Sequence, residues 1–203
     1  AFERGFYGKP RIDWPLLRAH AEGLICLSGC VAGDIPRAIL RGDYEAAKAR
    51  AVELQALFGE GNFYLELQNH RMTDEARVRA ALLRIHRETG IPLAATNDVH
   101  YIQKQDAYDQ DVLLCIQTGQ TLDSPERLRF PNDEFYLKSE AEMRALFDEY
   151  PDAVENTQRI ADRCRFDFTF GHYHLPRFLL PEGETDSDAY LTKLCERGFT
   201  RRY

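Results

Sequence analysis

No stretch of this chain of 203 residues approaches the roughly 18 consecutive apolar residues of a membrane-spanning helix, and its first residues hold neither an apolar core nor a cleavage site of the signal-peptide kind. Nothing in it is expected to target or anchor it. The cysteines Cys26, Cys30, Cys115, Cys164 and Cys195 are an odd set of five without a Cys-x-x-Cys pair or a regular framework, which fits a reducing cytoplasm. A Walker loop, a Gly-x-Gly-x-x-Gly turn and a nucleophile elbow are all missing, so ATP hydrolysis and acyl transfer have no support. Positive charge is also short: 26 Lys and Arg against 33 Asp and Glu give a formal net charge of −7. The average surface therefore does not attract nucleic acid, and a phosphate-binding role must come from a local basic patch or from bound metal. A hydrophobic content of 44% supports an ordinary core, enough for one substantial domain or one and a half smaller ones.

Apolar periodicity and turn residues order what is there. Asp13 caps a short helix over 14–20, with Pro15 tolerated in its first turn. Residues 24–28 read as a buried strand closed by Gly29-Cys30-Val31-Ala32-Gly33. An alanine-rich helix over 43–58 is stopped by Gly59 and Gly61, and residues 63–67 form the next strand. Asp74 and Glu75 open an amphipathic helix through Val78, Ala81, Leu82 and Ile85 that ends at Gly90, before the strand Ile91-Pro92-Leu93-Ala94-Ala95. This alternation predicts an α/β fold of βαβ units with a largely parallel sheet, open or closed into a barrel. After Tyr101 the pattern changes to a helix over 106–117, an extended segment at 135–137 and helices over 140–147 and 153–164. A proline-punctuated connector over 173–183 is the expected domain boundary, followed by a helix over 185–202. The sequence starts without Met and reads as a fragment.

Thr96-Asn97-Asp98-Val99-His100 follows directly on the third strand. Two residues apart on an extended exit, the Asp98 carboxylate and the His100 imidazole point to the same side, as two ligands of one ion require. The plainer alternative is a turn carboxylate beside a surface histidine. Cys30 also follows an apolar strand, and in a parallel sheet it sits on the same rim; thiolate, imidazole and carboxylate together make a mixed site for zinc. Alternatively Cys30 is a buried small hydrophobe, as Cys26 is expected to be. Glu66 and His70 leave the middle strand on that rim, Glu66 as a partner of the ligands and His70 as a phosphate or water contact, or both as satisfied polar groups at a strand end. Lys9, Arg11, Arg127 and Arg129 could touch phosphates, or simply form a solvated face. The histidines His20, His86, His172 and His174 are assigned no role.

The run from Gly5 to Asp13, the segment Gly23-Leu24-Ile25-Cys26-Leu27-Ser28-Gly29-Cys30-Val31-Ala32-Gly33, Tyr64-Leu65-Glu66-Leu67-Gln68-Asn69-His70 and Ala95-Thr96-Asn97-Asp98-Val99-His100-Tyr101 together closely resemble the alpha subunits of bacterial DNA polymerase III, the C-family replicative polymerases. The matching region there is the polymerase-and-histidinol-phosphatase (PHP) domain. The resemblance continues through Phe135-Tyr136-Leu137-Lys138-Ser139, Glu155-Asn156-Thr157 and Leu175-Pro176-Arg177-Phe178. It implies part of a distorted (βα)7 barrel holding up to three metal ions, with residues 1–175 as the C-terminal part of the PHP domain and 176–203 as a linker and the start of the polymerase palm. On that resemblance Cys30, Asp98 and His100 match the last three metal ligands, the earlier ones would lie upstream of Ala1, and the palm aspartates would lie downstream of Tyr203.

The implied function is that of a fragment of a DNA-directed DNA polymerase that does not itself polymerise. In the full protein, Zn2+, Mn2+ or Mg2+ at the PHP rim would support 3′–5′ exonuclease chemistry, and Mg2+ would serve polymerisation. Primer-template DNA, a proofreading exonuclease subunit and other replicase subunits are the implied partners, in the cytoplasm and away from membranes. Two alternatives remain open: a catalytically inactive PHP scaffold that docks the proofreading exonuclease, and a free-standing PHP phosphoesterase acting on a small phosphate monoester.

Overall fold

Strand β2 (Phe63–Leu67) is buried at every position except the half-buried Glu66, the pattern of a parallel strand covered on both faces. It lies between β1 (Cys26–Leu27) and β3 (Leu93–Ala95) in a three-stranded sheet ordered β1-β2-β3. Both pairings are parallel, with Cys26 opposite Phe63 and Leu65 opposite Leu93. The α/β expectation holds, and the sheet fits part of the parallel α/β architecture that the resemblance implies. The computed structural model describes residues 8–9, 11–173 and 178–203. Gly5, Phe6, Tyr7 and Pro10 of the N-terminal motif, and residues 174–177 of the connector, lie outside the described residues.

The chain divides into two units, Ala1–Cys164 and Arg165–Tyr203. In the first, α1 (Trp14–Ala19) is capped by Asp13, whose carboxylate accepts from the Leu16 N–H at 2.9 Å. Helix α3 (Tyr44–Phe58) is capped in the same way by Asp43, which accepts from the Ala46 N–H at 3.0 Å. Such caps satisfy N–H groups that the first helical turn leaves unpaired. Helix α4 (Thr73–Thr89) ends at Gly90 with φ +73°, a left-handed position that glycine occupies without strain. Helices α2 (Asp34–Leu40) and α3 pack together, and α7 (Pro151–Arg163) lies against β3. The Asn156 side chain of α7 donates to the Leu93 carbonyl of β3 at 2.7 Å. Ile35, Ala47, Ala51, Leu65, Leu67, Leu82, Ile85 and Ala153 are almost wholly enclosed and belong to one core. Helices α5 (Ala107–Thr118) and α6 (Glu140–Leu146) complete the unit. The second unit contains α8 (Ser187–Arg202), capped by Asp186.

Two elements differ from expectation. The first strand spans two residues rather than 24–28, because Leu24 is half exposed and, among the described residues, β1 lies at the edge of the sheet and pairs with β2 alone. Helix α2, where the sequence pattern names no element, buries Ile35, Pro36, Ala38 and Ile39. Its shortness and an early proline hide the helical period. The extended segment at 135–137 contributes an isolated parallel bridge between Tyr101 and Tyr136.

Gly33 is the most tightly enclosed of the described glycines: a Cβ there would stand 2.7 Å from the Ser28 carbonyl oxygen and 3.2 Å from that of Cys30. Neither neighbour is a flexible side-chain end, so Gly33→Ala should destabilise the first unit by about 1–3 kcal/mol, the usual range for forced overpacking. Urea unfolding measures this directly, and an unchanged midpoint would show that the loop after β1 yields freely.

Candidate functional site at the C-terminal edge of the sheet

Because all three strands are parallel, the segments that follow them leave by one edge: Ser28–Val31 after β1, Gln68–Arg71 after β2 and Thr96–His100 after β3. Glu66 ties the three exits together. Its carboxylate accepts from the Gly29 N–H at 3.0 Å, from the Gln68 amide at 3.1 Å and from the Thr96 hydroxyl at 2.5 Å. Its own N–H donates to the Ser28 hydroxyl at 2.8 Å. A charged acceptor with several donors is held more firmly than a neutral one, so the half-buried Glu66 is a cross-brace. The same carboxylate, together with burial, which acts more strongly, raises the pKa of the neighbouring Cys26 thiol.

His70 is fully enclosed. Its Nδ1 faces the Glu75 carboxylate at 2.5 Å and its Nε2 faces the Asn97 carbonyl at 2.9 Å, while its backbone N–H donates to the other Glu75 oxygen at 2.6 Å. The ring stacks on Phe135 at 3.9 Å between centroids, and the Asn132 amide donates to the His70 carbonyl at 2.7 Å. Both ring nitrogens face acceptors, so the imidazolium is the form that satisfies them. Burial works against that charge, but Glu75 and the Asn97 carbonyl outweigh it, and the pKa is raised above the ordinary histidine value. As placed, His70 has no ring nitrogen left for a phosphate or a water. It pins the exit of β2 to the start of α4 and to the exit of β3.

The Asn97 amide donates to the Glu134 and Tyr136 carbonyls at 2.9 and 2.7 Å, which fixes its orientation and leaves its own Oδ1 buried without a hydrogen-bond partner. The neighbouring Asp98 takes φ +40°, a left-handed position that short Asx side chains tolerate better than most. His100 is exposed, its Nδ1 lies 2.6 Å from the Asp98 carbonyl, and its ring tilts against Phe130 at 4.5 Å. With Nδ1 donating to that carbonyl, Nε2 carries the lone pair, the tautomer that suits a metal-binding imidazole. Cys30 is half-buried beside a small cavity that Glu66 and Glu75 also line.

Cys30 and the Asp98/His100 pair leave from β1 and β3, separated by β2. Strand spacing alone sets those exits about 10 Å apart, and the Glu66 carboxylate stands between them. Among the described residues no group of three His, Cys, Asp or Glu is arranged to hold a metal ion. The three donors have suitable chemistry but do not by themselves fit an ion. Glu75 as the partner of a buried histidine, the Asn97 amide and the ion pairs of Glu134 went unread in the sequence. Glu134 is held down at about 2 by Lys104 and Lys138 against the opposing effect of burial. Locally each is an ordinary polar residue, and nothing nearby in the sequence names its partner.

Residues 1–70 match the PHP domain family. Over its whole length the chain is 46% identical to DNA polymerase III subunit alpha of Thermus aquaticus and 43% identical to that of Treponema pallidum, in each case covering 17% of the relative. The chain's similarity is to DNA polymerase III alpha. The corresponding subunit of Campylobacter jejuni is 33% identical across the whole chain, which covers 19% of it. The likeness to these alpha subunits is therefore spread over both units and is not confined to the rim. Among the described residues no helix is long and apolar enough to cross a membrane.

The raised pKa of His70 has a definite sign. The folded state binds the proton more tightly than the unfolded chain, so the stabilisation is complete below the unfolded value of about 6.5 and is lost as pH rises through the higher folded value. Thermal melts of the wild-type chain should show stability falling over that window, and Glu75→Gln should remove the dependence while costing about 3 kcal/mol, the low end for breaking a buried pair. A wild-type profile parallel to that of the variant would place a neutral imidazole at this position.

Proposed function

We propose that this chain is a part of a bacterial replicative DNA polymerase alpha subunit, with residues 1–175 in its PHP domain and 176–203 as a linker and the start of the palm. Similarity along the whole chain, rather than at one motif, is the observation that carries the reading. The chain spans about 17% of these relatives, and nucleotide addition is assigned to the whole protein, as are binding of primer-template DNA, association with a proofreading exonuclease subunit and a cytoplasmic location.

Within that protein, Cys30, Asp98 and the Nε2 of His100 would contribute donors to a PHP metal site for Zn2+, Mn2+ or Mg2+, completed by residues from elsewhere in the polypeptide. The chemistry such ions supply is polarisation of a phosphodiester and activation of water, a 3′–5′ exonuclease activity; Mg2+ would serve polymerisation separately. This chain's own residues orient the donors. Glu66 holds the exits of β1 and β3 together, and His70 with Asn97 fixes the turn that carries Asp98. The second reading is a PHP scaffold without catalysis, for which the same braced loops would serve as a docking platform.

Two measurements test this, the first for a complete metal site within the chain and the second for catalysis. The 203-residue chain should bind zinc weakly, because fewer than three gathered donors leave an ion under-coordinated; one equivalent of zinc surviving dialysis against a chelator would show a complete site within this chain. In the full-length subunit, Asp98→Asn should reduce metal-dependent primer degradation by at least the ~10–100-fold that loss of a ligand's outer partner costs, with primer extension unchanged. Asparagine tolerates the left-handed backbone as aspartate does, so the fold survives. Unchanged degradation, in a preparation free of a separate exonuclease, would leave the scaffold reading.

A further inference from the structure

Next to His100, on the side of Phe130, lies a cavity of about 280 Å³ that the metal-ligand reading does not use. Its walls are aromatic: Tyr101 is buried, Phe130 is half-buried and Tyr108, in the first turn of α5, is 64% exposed. The volume lies just below the ~300–1,000 Å³ of sites for drug-sized ligands, suited to one planar ring system rather than to an extended chain.

Charge at this cavity is largely neutralised. Arg127 forms a two-pronged ion pair with Asp111 and also donates to the Leu122 carbonyl at 3.0 Å, so it braces the wall. Asp133 at the rim shares its charge with Lys104 at 3.5 Å. Arg129 is exposed and makes no hydrogen bond or ion pair among the described residues, although its charge, after that of Arg127, helps to hold the Asp111 carboxyl below its ordinary range. A neutral aromatic slot with one available guanidinium at its mouth suits a heterocyclic base joined to a phosphate. Stacking on aromatic side chains supplies the binding, and because every base presents a π face such a slot accepts any of the four.

We propose that this cavity holds the unpaired base of a DNA strand's 3′-terminal nucleotide, stacked on Tyr108 and Phe130, with Arg129 meeting the phosphate. Phe130 lines the cavity and also touches His100, 4.5 Å between ring centroids, so a base seated there brings its phosphodiester toward the Asp98/His100 turn. The inference rests on the proposed phosphodiester reading of that rim and names how its substrate is positioned. Tyr108 and Arg129 act as positioning residues, and an unpaired end is preferred because a paired base would first have to leave its stack.

The test is binding, in excess chelator, of a fluorescent primer-template with three mismatched bases at the 3′ end to the full-length subunit. The controls are the fully paired duplex and Tyr108→Ala, Tyr108→Phe and Arg129→Ala variants. Tyr108→Ala should weaken binding of the frayed end by roughly 5- to 150-fold, the range for one stacked base, and leave the paired duplex unaffected. Tyr108→Phe should restore it, and Arg129→Ala should weaken it and flatten its salt dependence. Equal binding of the frayed end by wild type and Tyr108→Ala overturns the proposal, as does equal loss on frayed and paired substrates. Chelation makes the result independent of catalysis: if Asp98→Asn leaves degradation unchanged in the metal-containing assay while Tyr108→Ala still weakens binding, the exonuclease reading falls and the subsite stands, and the opposite pattern does the reverse.

Discussion

A buried histidine organises the C-terminal edge of the sheet. His70 sits between the Glu75 carboxylate and the Asn97 carbonyl with its ring against Phe135, and through those three contacts the exit of β2 is joined to α4, to the exit of β3 and to the segment around 135. Taking a charge out of water is costly unless it is paired and hydrogen-bonded. Here each ring nitrogen has an acceptor, so the arrangement holds only when all of its parts are in place. That interdependence gives the turn at Asp98 a defined shape, although Asp98 itself is only half-buried and its backbone is left-handed.

Around this centre the polar groups are sorted by burial. Asn97, Glu134 and Lys138 lie inside, where Lys138 reaches the Glu134 carboxylate at 3.1 Å and its carbonyl at 2.5 Å. Asp98 and His100 lie farther out, where solvent or a ligand can reach them. An inner layer of satisfied groups holding an outer layer in fixed geometry is what precise chemistry on a loop requires, since loops do not by themselves hold side chains to within fractions of an ångström. The same organisation also suits a rigid docking platform, and the two roles differ only in what approaches the outer layer.

The parts of the fold that local rules govern were legible. Helices α3 and α4 and strand β2 follow from Asp43, Gly59, Gly90 and the apolar run over 63–67, each a statement about a few neighbouring residues. Helix α2 was not, because seven residues containing Pro36 provide barely two turns in which to show a period. At the site, the positions of Cys30, Asp98 and His100 on one edge follow from parallel strands, which alternation with helices implies. The identity of the braces did not follow. Glu75 in a first helical turn reads as an ordinary partner of the helix dipole, and nothing local indicates that it meets His70 in the interior. Asn97 depends on carbonyls 37 and 39 positions away, a relation that only the folded chain creates.

Glu66 makes the strand exits mechanically one object. A single carboxylate bonded to Gly29 on one side and Thr96 on the other transmits a displacement of either loop to its counterpart across the width of the sheet. Changes introduced separately on the two flanks therefore share an anchor, and their effects should compound rather than add. In a rim of this kind, tuning one donor without disturbing another requires that the central acid stay untouched, which makes Glu66 a conservative element in any variation of the loops it joins.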